Sequence, residues 1–256
     1  MSTDAQPFLD LDGVAYAYGD DPPTVTGVDL RVPAGAFHCL VGRSGSGKTT
    51  LLKLAAGLLR PGAGAARIQG APIDGPAPAV GFVFQTPSLL EWRTVLDNVL
   101  LPISLKRQVT AADRAAAHAA LERIGIGGHA QRYPGQLSGG QQSRTALARA
   151  LITEPPALLM DEPFAALDAI TREGLQDDLL RLAEDRRTTV LFVTHDIAEA
   201  VYLGDHVSVM ERGRIAFDMP VALDRPRAVD IRYDPGFNAL CRDIRRQMAA
   251  ASRMAA

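Results

Sequence analysis

Cysteine is nearly absent from this 256-residue chain: Cys39 and Cys241 are the only two, far apart and outside any CxxC or Cys/His spacing. That argues against a disulfide scaffold or a thiolate metal site, and reduced thiols suit a cytosolic setting. No uninterrupted apolar stretch approaches the ~18–20 residues that cross a bilayer, so a partner must supply any membrane part. The first residues, MSTDAQPFLDLDG, lack the basic start and apolar run of a secretory signal. A charge surplus is missing too: 27 basic and 29 acidic residues give a formal net charge of −2, too little field to hold a polyanion, which disfavours a nucleic-acid partner. What is present, 47% hydrophobic and 22% charged residues, is the composition of an ordinary packed protein.

Along the chain, Val28, Leu30 and Val32 alternate with Asp29 and Arg31, the period of antiparallel strands with one wet face. The apolar run Ala36–Val41 enters a Gly-rich loop and then a helical stretch from Lys48 to about Leu59, a strand, loop, helix unit. Short strands follow at Ala66–Gln69 and Val80–Phe84. Residues from about 87 to 136 offer no convincing buried strand; Thr110 and Asp113 have capping-box spacing ahead of an Ala-rich stretch, so this segment reads as a helical insert. The β/α rhythm then resumes: helix Gln141–Ile152, strand Ala157–Met160, a helix to Ala183, strand Thr188–Val193, helix Asp196–Leu203. In the 170s helix, Leu175, Leu179 and Leu182 predict one buried stripe. Two short strands, Val207–Met210 and Arg214–Phe217, and a helix around Gly236–Met248 complete the chain. Alternating strands and helices imply an α/β fold with a parallel sheet.

Gly42, Arg43, Ser44, Gly45, Ser46, Gly47, Lys48 and Thr49 match GxxxxGK[ST] between a predicted strand and a predicted helix. In that setting the backbone N–H groups and the helix start face phosphate oxygens, Lys48 reaches the β/γ-phosphates and Thr49 ligates Mg²⁺. The apolar run Ala157–Met160 ends in Asp161 and Glu162, at the sheet edge where open α/β folds bind ligands. Asp161 suits the Mg²⁺ shell and Glu162 the attacking water; capping acids before Pro163 are the alternative. Leu137, Ser138, Gly139, Gly140 and Gln141 precede another helix and read either as a second anion-binding start or as a serine cap after a flexible turn. Gln85 and His195 each follow a strand, where contacts to Mg²⁺-bound water and to a γ-phosphate are available; plain strand-end polarity is the other reading. Tyr18 suits stacking on adenine but also an ordinary core or surface place. Asp168 is open between a surface helix acid and a contact across an interface.

Tyr18, GRSGSGKT, Gln85, LSGGQ, LLMDE, Asp168 and His195, in this order over about residues 8–220, resemble the ATP-binding subunits of ABC transporters. The resemblance implies a phosphate-loop NTPase core with a parallel sheet and an antiparallel β-subdomain (8–86 and 154–220), a helical subdomain (87–153) and a tail (221–256). It implies Walker A residues through Lys48, Thr49 and Thr50, the Mg²⁺ ligands Thr49, Gln85 and Asp161, Glu162 as catalytic base, His195 as switch histidine, and Tyr18 beside the base. Ser138, Gly139, Gly140 and Gln141 correspond to the signature loop that meets ATP on the opposite subunit. Val80–Gln85, the stretch from Leu89 through Trp92 to Asn98, and Arg225-Pro226-Arg227 are similar to the nitrate/sulfonate/taurine importer branch. Ser143, Thr145 and Ala165 depart from common residues of that family without removing a catalytic group.

The resemblance thus implies an ATPase that uses ATP and Mg²⁺ and works as a head-to-tail homodimer on two membrane permease subunits. A periplasmic or lipid-anchored solute-binding protein is an indirect partner, and the setting is the cytoplasmic face of the inner membrane, peripherally. Leu89, Leu90, Trp92 and Val95 are expected to face the permease or else to pack the insert. The alternatives are a non-transport ATPase of the same superfamily, acting on nucleic acid or ribosomes, and service of another cargo such as a pyrimidine precursor.

Overall fold

A computed structural model describes residues 6–254 of the chain. It resolves into two compact units, one formed by the segments up to Pro78 and from Leu180 onward, the other by Ala79–Leu179. The helical subdomain expected at 87–153 lies within the second.

In the first unit, β1 (Leu9–Tyr16), β2 (Val25–Val32), β4 (Ala63–Ile68) and β5 (Ala71–Pro72) form an antiparallel sheet in the order β2-β1-β4-β5. Its register sets Leu9 opposite Val32 and Leu11 opposite Leu30. The alternation predicted for β2 holds: Val28, Leu30 and Val32 are buried and Asp29 and Arg31 exposed. A second set of strands comprises β3 (Phe37–Val41), β8 (Thr189–Thr194), β9 (His206–Glu211) and β10 (Arg214–Pro220). Here β3 runs parallel to both β8 and β9, while β10 returns antiparallel to β9. Every residue of β3 and β8 is buried, as expected of strands covered on both faces.

Helix α1 (Lys48–Ala55) stops four residues short of the predicted Leu59. Gly57 adopts φ +71°, and a Cβ there would meet the Gly75 carbonyl oxygen at 2.0 Å, so the chain turns where only glycine fits. Helix α7 (Ile197–Leu203) follows β8, and the long α8 (Pro235–Met254) buries Phe237 and Ile244.

The second unit contains the parallel pair β6 (Val80–Val83) and β7 (Ala157–Asp161). Its helices are α2 (Val95–Val99), α3 (Leu101–Ser104), α4 (Ala111–Arg123) and α5 (Gly139–Leu151). The capping box predicted at Thr110 and Asp113 starts α4, with both reciprocal bonds formed. Val95, Leu96, Val99, Leu121, Ala146 and Leu147 build the helical core. Helix α6 (Ala169–Arg186) corrects the predicted stripe: Leu175, Gln176, Leu179, Leu180 and Ala183 are buried, but Leu182 is half-exposed. The buried face is centred near Leu179 and Ala183, which leaves Leu182 at its edge.

Candidate functional site

The residues singled out in the sequence divide between the units. Tyr18, the loop 42–50 and His195 belong to the first; Gln85, Ser138, Gly139, Gly140, Gln141, Asp161 and Glu162 belong to the second.

In the first unit, the loop between β3 and α1 has the features of a triphosphate cradle. Gly47 takes φ +101°, and a Cβ on it would lie 2.6 Å from the Thr24 carbonyl oxygen, so no side chain can intrude at the helix start. No side chain caps α1, and its first turn holds no acid; its N–H groups and positive end are left for an anion. Buried Lys48 donates from Nζ to the carbonyl oxygens of Gly42 (2.8 Å) and Arg43 (2.9 Å). Ser46 Oγ is buried with no hydrogen-bond partner among the described residues. A cationic amine, an orphan hydroxyl and an uncapped helix start fit a polyphosphate, and the Thr49 hydroxyl supplies an oxygen donor of the kind Mg²⁺ takes. Arg43, Ser44 and Gly45 form the exposed outer rim of the loop.

Tyr18 is brought to this loop: its hydroxyl lies 3.2 Å from Thr50 Oγ1, and its ring packs edge-on against Tyr16. The buried Thr50 hydroxyl is therefore engaged with Tyr18. The Gly213 N–H donates to the Ser46 carbonyl at 2.9 Å and the Gly213 carbonyl accepts the Thr26 N–H, so the β9–β10 turn braces the loop. Nothing in the sequence pattern marked that brace. His195 is exposed, directly after β8. The next residue, Asp196, caps α7 by accepting from the N–H groups of Ala198 and Glu199.

In the second unit, β7 is buried along its whole length and delivers buried Asp161 at its carboxyl end. Glu162 then adopts φ +44°, leaving the strand path, so its carboxylate does not follow the strand alternation. Gln85 Nε2 donates to Glu162 Oε2 at 3.5 Å, joining two predicted catalytic residues 77 positions apart. The loop after Gln85 is held by two residues outside the phosphate-binding motifs. Arg149 on α5 donates to the carbonyls of Ser88 (2.9 Å) and Pro87 (2.8 Å). Fully buried Asn98 accepts the Leu90 N–H and donates to the carbonyls of Leu90, Arg93 and Thr94. In the sequence, only the place of Asn98 at the end of the stretch from Leu89 pointed to it. Trp92, 75% exposed, projects from this loop, whereas Val95 is buried in the helical core and is withdrawn from the expected permease surface.

Ser138 is the N-cap of α5: its hydroxyl accepts the Gln141 N–H (3.3 Å) and its own N–H donates to Gln141 Oε1 (2.9 Å). Gln141 also reaches the His129 ring at 3.0 Å, so its side chain serves the helix start. The Ser138 hydroxyl proton and the exposed Gly139 stay available to a ligand. Ser143 and Thr145 settle in the helix by donating to the carbonyls four residues back, of Gly139 and Gln141. A cleft of about 420 Å³ is lined by Ser138, Gly139, Gly140, Arg144 and Asp168 among others. Asp168 accepts the Thr171 N–H at 3.0 Å; that bond holds its carboxyl below the usual carboxylate range.

The ABC transporter family model matches residues 25–165. An aliphatic sulfonates import ATP-binding protein SsuB of Rhodopseudomonas palustris is 46% identical over 219 residues, 86% of this chain and 76% of that protein. The corresponding SsuB 2 of Streptomyces avermitilis is 45% identical over 224 residues, 87% of this chain and 84% of that one. Among solved structures, the dimeric post-hydrolysis state of the ATP-binding cassette MJ0796 bound to ADP and Pi covers 84% of this chain and 100% of its own, with 31% identity and a TM-score of 0.78. None of these relatives is named for nucleic acid or ribosomes, which leaves the non-transport alternative without support. The chain belongs to the ABC transporter family, and it is an ATP-binding, ATP-hydrolysing member of it.

Proposed function

We propose that this chain is the ATPase subunit that powers import of aliphatic sulfonates, or close anionic relatives, through a separate membrane permease. The observation that carries the nucleotide half is the loop ahead of α1: a buried lysine beside an uncapped, acid-free helix start. The cargo half rests on the names of relatives near 45% identity. No helix among the described residues is long and apolar enough to cross a membrane, in keeping with a peripheral subunit on the cytoplasmic face of the inner membrane. Exposed Trp92, with half-buried Leu89 and Leu90, is the surface offered to the permease.

In this reading Tyr18 lies beside the adenine, Lys48 and the loop N–H groups hold the phosphates, and Thr49, Asp161 and Gln85 hold Mg²⁺. Bound there, Mg²⁺ would supply positive charge against that of the phosphates. Glu162 accepts a hydrogen bond from the attacking water and orients it for in-line displacement, while His195 donates to the γ-phosphate. Ser138, Gly139 and Gly140 of a second copy complete the contacts, so two copies close head to tail around two nucleotides. The solute never touches this subunit; its recognition belongs to the permease and a solute-binding protein.

Glu162→Gln keeps the shape and removes the carboxylate. It should bind ATP normally, lose at least 100-fold in turnover, and run as a dimer on size-exclusion chromatography at millimolar ATP. A nucleotide-loaded monomer under those conditions would contradict the closure mechanism. Growth on an alkanesulfonate as sole sulfur source, lost on deletion of the gene and restored by the wild-type chain but not by Lys48→Ala, tests the cargo.

A further inference from the structure

Arg225 and Arg227 have no task in the hydrolysis just described. We infer that they are positioning residues, holding α7 and through it His195 where hydrolysis needs them; the inference rests on the role proposed for His195. Helix α7 has seven residues, too few to be stable by itself. Its place therefore depends on the packing of buried Ala200, Val201, Tyr202 and Leu203 and on what satisfies its ends, for the last four carbonyls of any helix lack partners inside it. Here the Ala200 carbonyl accepts the Gly204 N–H at 2.9 Å. Arg227 Nη1 donates to both the Val201 (3.2 Å) and Tyr202 (2.6 Å) carbonyls. Arg225 Nη2 donates to the Leu203 carbonyl at 2.9 Å. The tail thus supplies partners for three of the four.

Neither arginine is loosely held. Arg225 is pinned by Glu184 Oε1 at 2.6 Å and by Asp205 Oδ1 at 2.8 Å. Arg227 is 7% exposed; burial lowers its guanidinium to about 10, which still leaves it cationic at neutral pH and favourably placed at a helix C-terminus. Arg232 adds a third contact, its guanidinium 3.6 Å from the centre of the Tyr202 ring.

At the other end of α7, the Asp196 cap accepts from Ala198 and Glu199, and its N–H donates to Thr194 Oγ1 at 3.0 Å. The Thr194 hydroxyl donates to the buried Glu199 carboxylate. His195 is therefore the single residue between a strand fixed in the sheet and the cap of a helix fixed by the tail. A shift of α7 along its axis moves Asp196, and the backbone of His195 must follow.

The test compares the full-length wild-type chain with His195→Ala, Arg227→Ala, Arg227→Lys and the double variant His195→Ala/Arg227→Ala. Steady-state phosphate release with MgATP and the histidine Cε1–H NMR signals are measured. Arg227→Ala should lower kcat three- to tenfold with KM for ATP within twofold. Arg227→Lys should recover most of it, because one nitrogen serves both carbonyls and an ammonium can do the same. The double variant should be no slower than His195→Ala. In nucleotide-free Arg227→Ala, the signal of His195 should move while those of His38, His118 and His129 stay in place. Should Arg227→Ala not fold, as judged by thermal denaturation, Arg225→Gln carries the same comparison. Additive losses in the double variant, or an unmoved His195 signal, would overturn the positioning role. Unchanged kcat in His195→Ala would instead overturn the role of His195, and the inference with it.

Discussion

His38 illustrates how a single buried side chain ties stability to pH. Its Nε2 lies 2.7 Å from Ser208 Oγ, and that hydroxyl donates its only proton to Asp218 Oδ1 at 2.6 Å, so the ring nitrogen is the donor to Ser208. Burial lowers its pKa from 6.5 to about 4, against the opposing pull of Asp218. The unfolded ring takes up a proton below pH 6.5 while the folded ring stays neutral, so the stabilisation is present above that pH and is lost as pH falls towards 4. The loss reaches about 3 kcal/mol. Urea midpoints recorded across this window should fall with acidification, and His38→Gln should flatten that slope. Asn98 is a buried polar side chain that supports the fold without titrating: it occupies one N–H and three carbonyls of the loop around Trp92. Asn98→Ala removes the partner of the Leu90 N–H and of the Arg93 carbonyl, while the Leu90 and Thr94 carbonyls keep the backbone N–H groups of Arg93 and residue 98, and should cost about 1–3 kcal/mol in a urea titration. Neither role was legible beforehand, because a polar residue in an apolar run does not announce its partners.

Elements were most legible where local chemistry closes on itself. The capping box expected at Thr110 and Asp113 needs only residues three apart, and α4 begins as that spacing demands; Ser138 and Gln141 form a second box that starts α5 at Gly139, two residues ahead of the expected Gln141. Ser138→Ala should therefore cost about 1 kcal/mol of stability, read as a shift in thermal midpoint, apart from any effect on turnover. Elements were less legible where a distant segment sets the limit. The end of α1 is set by the approach of Gly75 to Gly57. The exposed edge of α6 at Leu182 is set by how the helix is rotated against its neighbours, since heptad-like spacing fits more than one rotation.

For the whole molecule, the proposed site is complete only when a second copy contributes Ser138. Turnover per chain should then rise with protein concentration and level off as dimers fill, and extreme dilution should abolish it. Ser138→Arg places a long cation in the cleft shared by Gly139, Gly140 and Asp168. It should remove the concentration dependence and most of the turnover while ATP binding, followed with a fluorescent analogue, changes less than threefold. A variant that kept wild-type turnover would remove the need for a partner copy.

The sequence alone determined the strand-loop-helix order that opens with β3, the alternation of β2, the capped start of α4 and the carboxylates at the end of β7. Each depends on residues within a few positions, where period, capping and turn chemistry act before any packing occurs. Tertiary structure alone decided that Gln85 meets Glu162, that Tyr18 meets Thr50, that Gly213 braces the phosphate loop, and that two tail arginines close the end of α7. Those pairings bring together groups up to 167 positions apart, and the choice of partner follows from satisfying buried polar groups in one packed arrangement, a condition no local window contains.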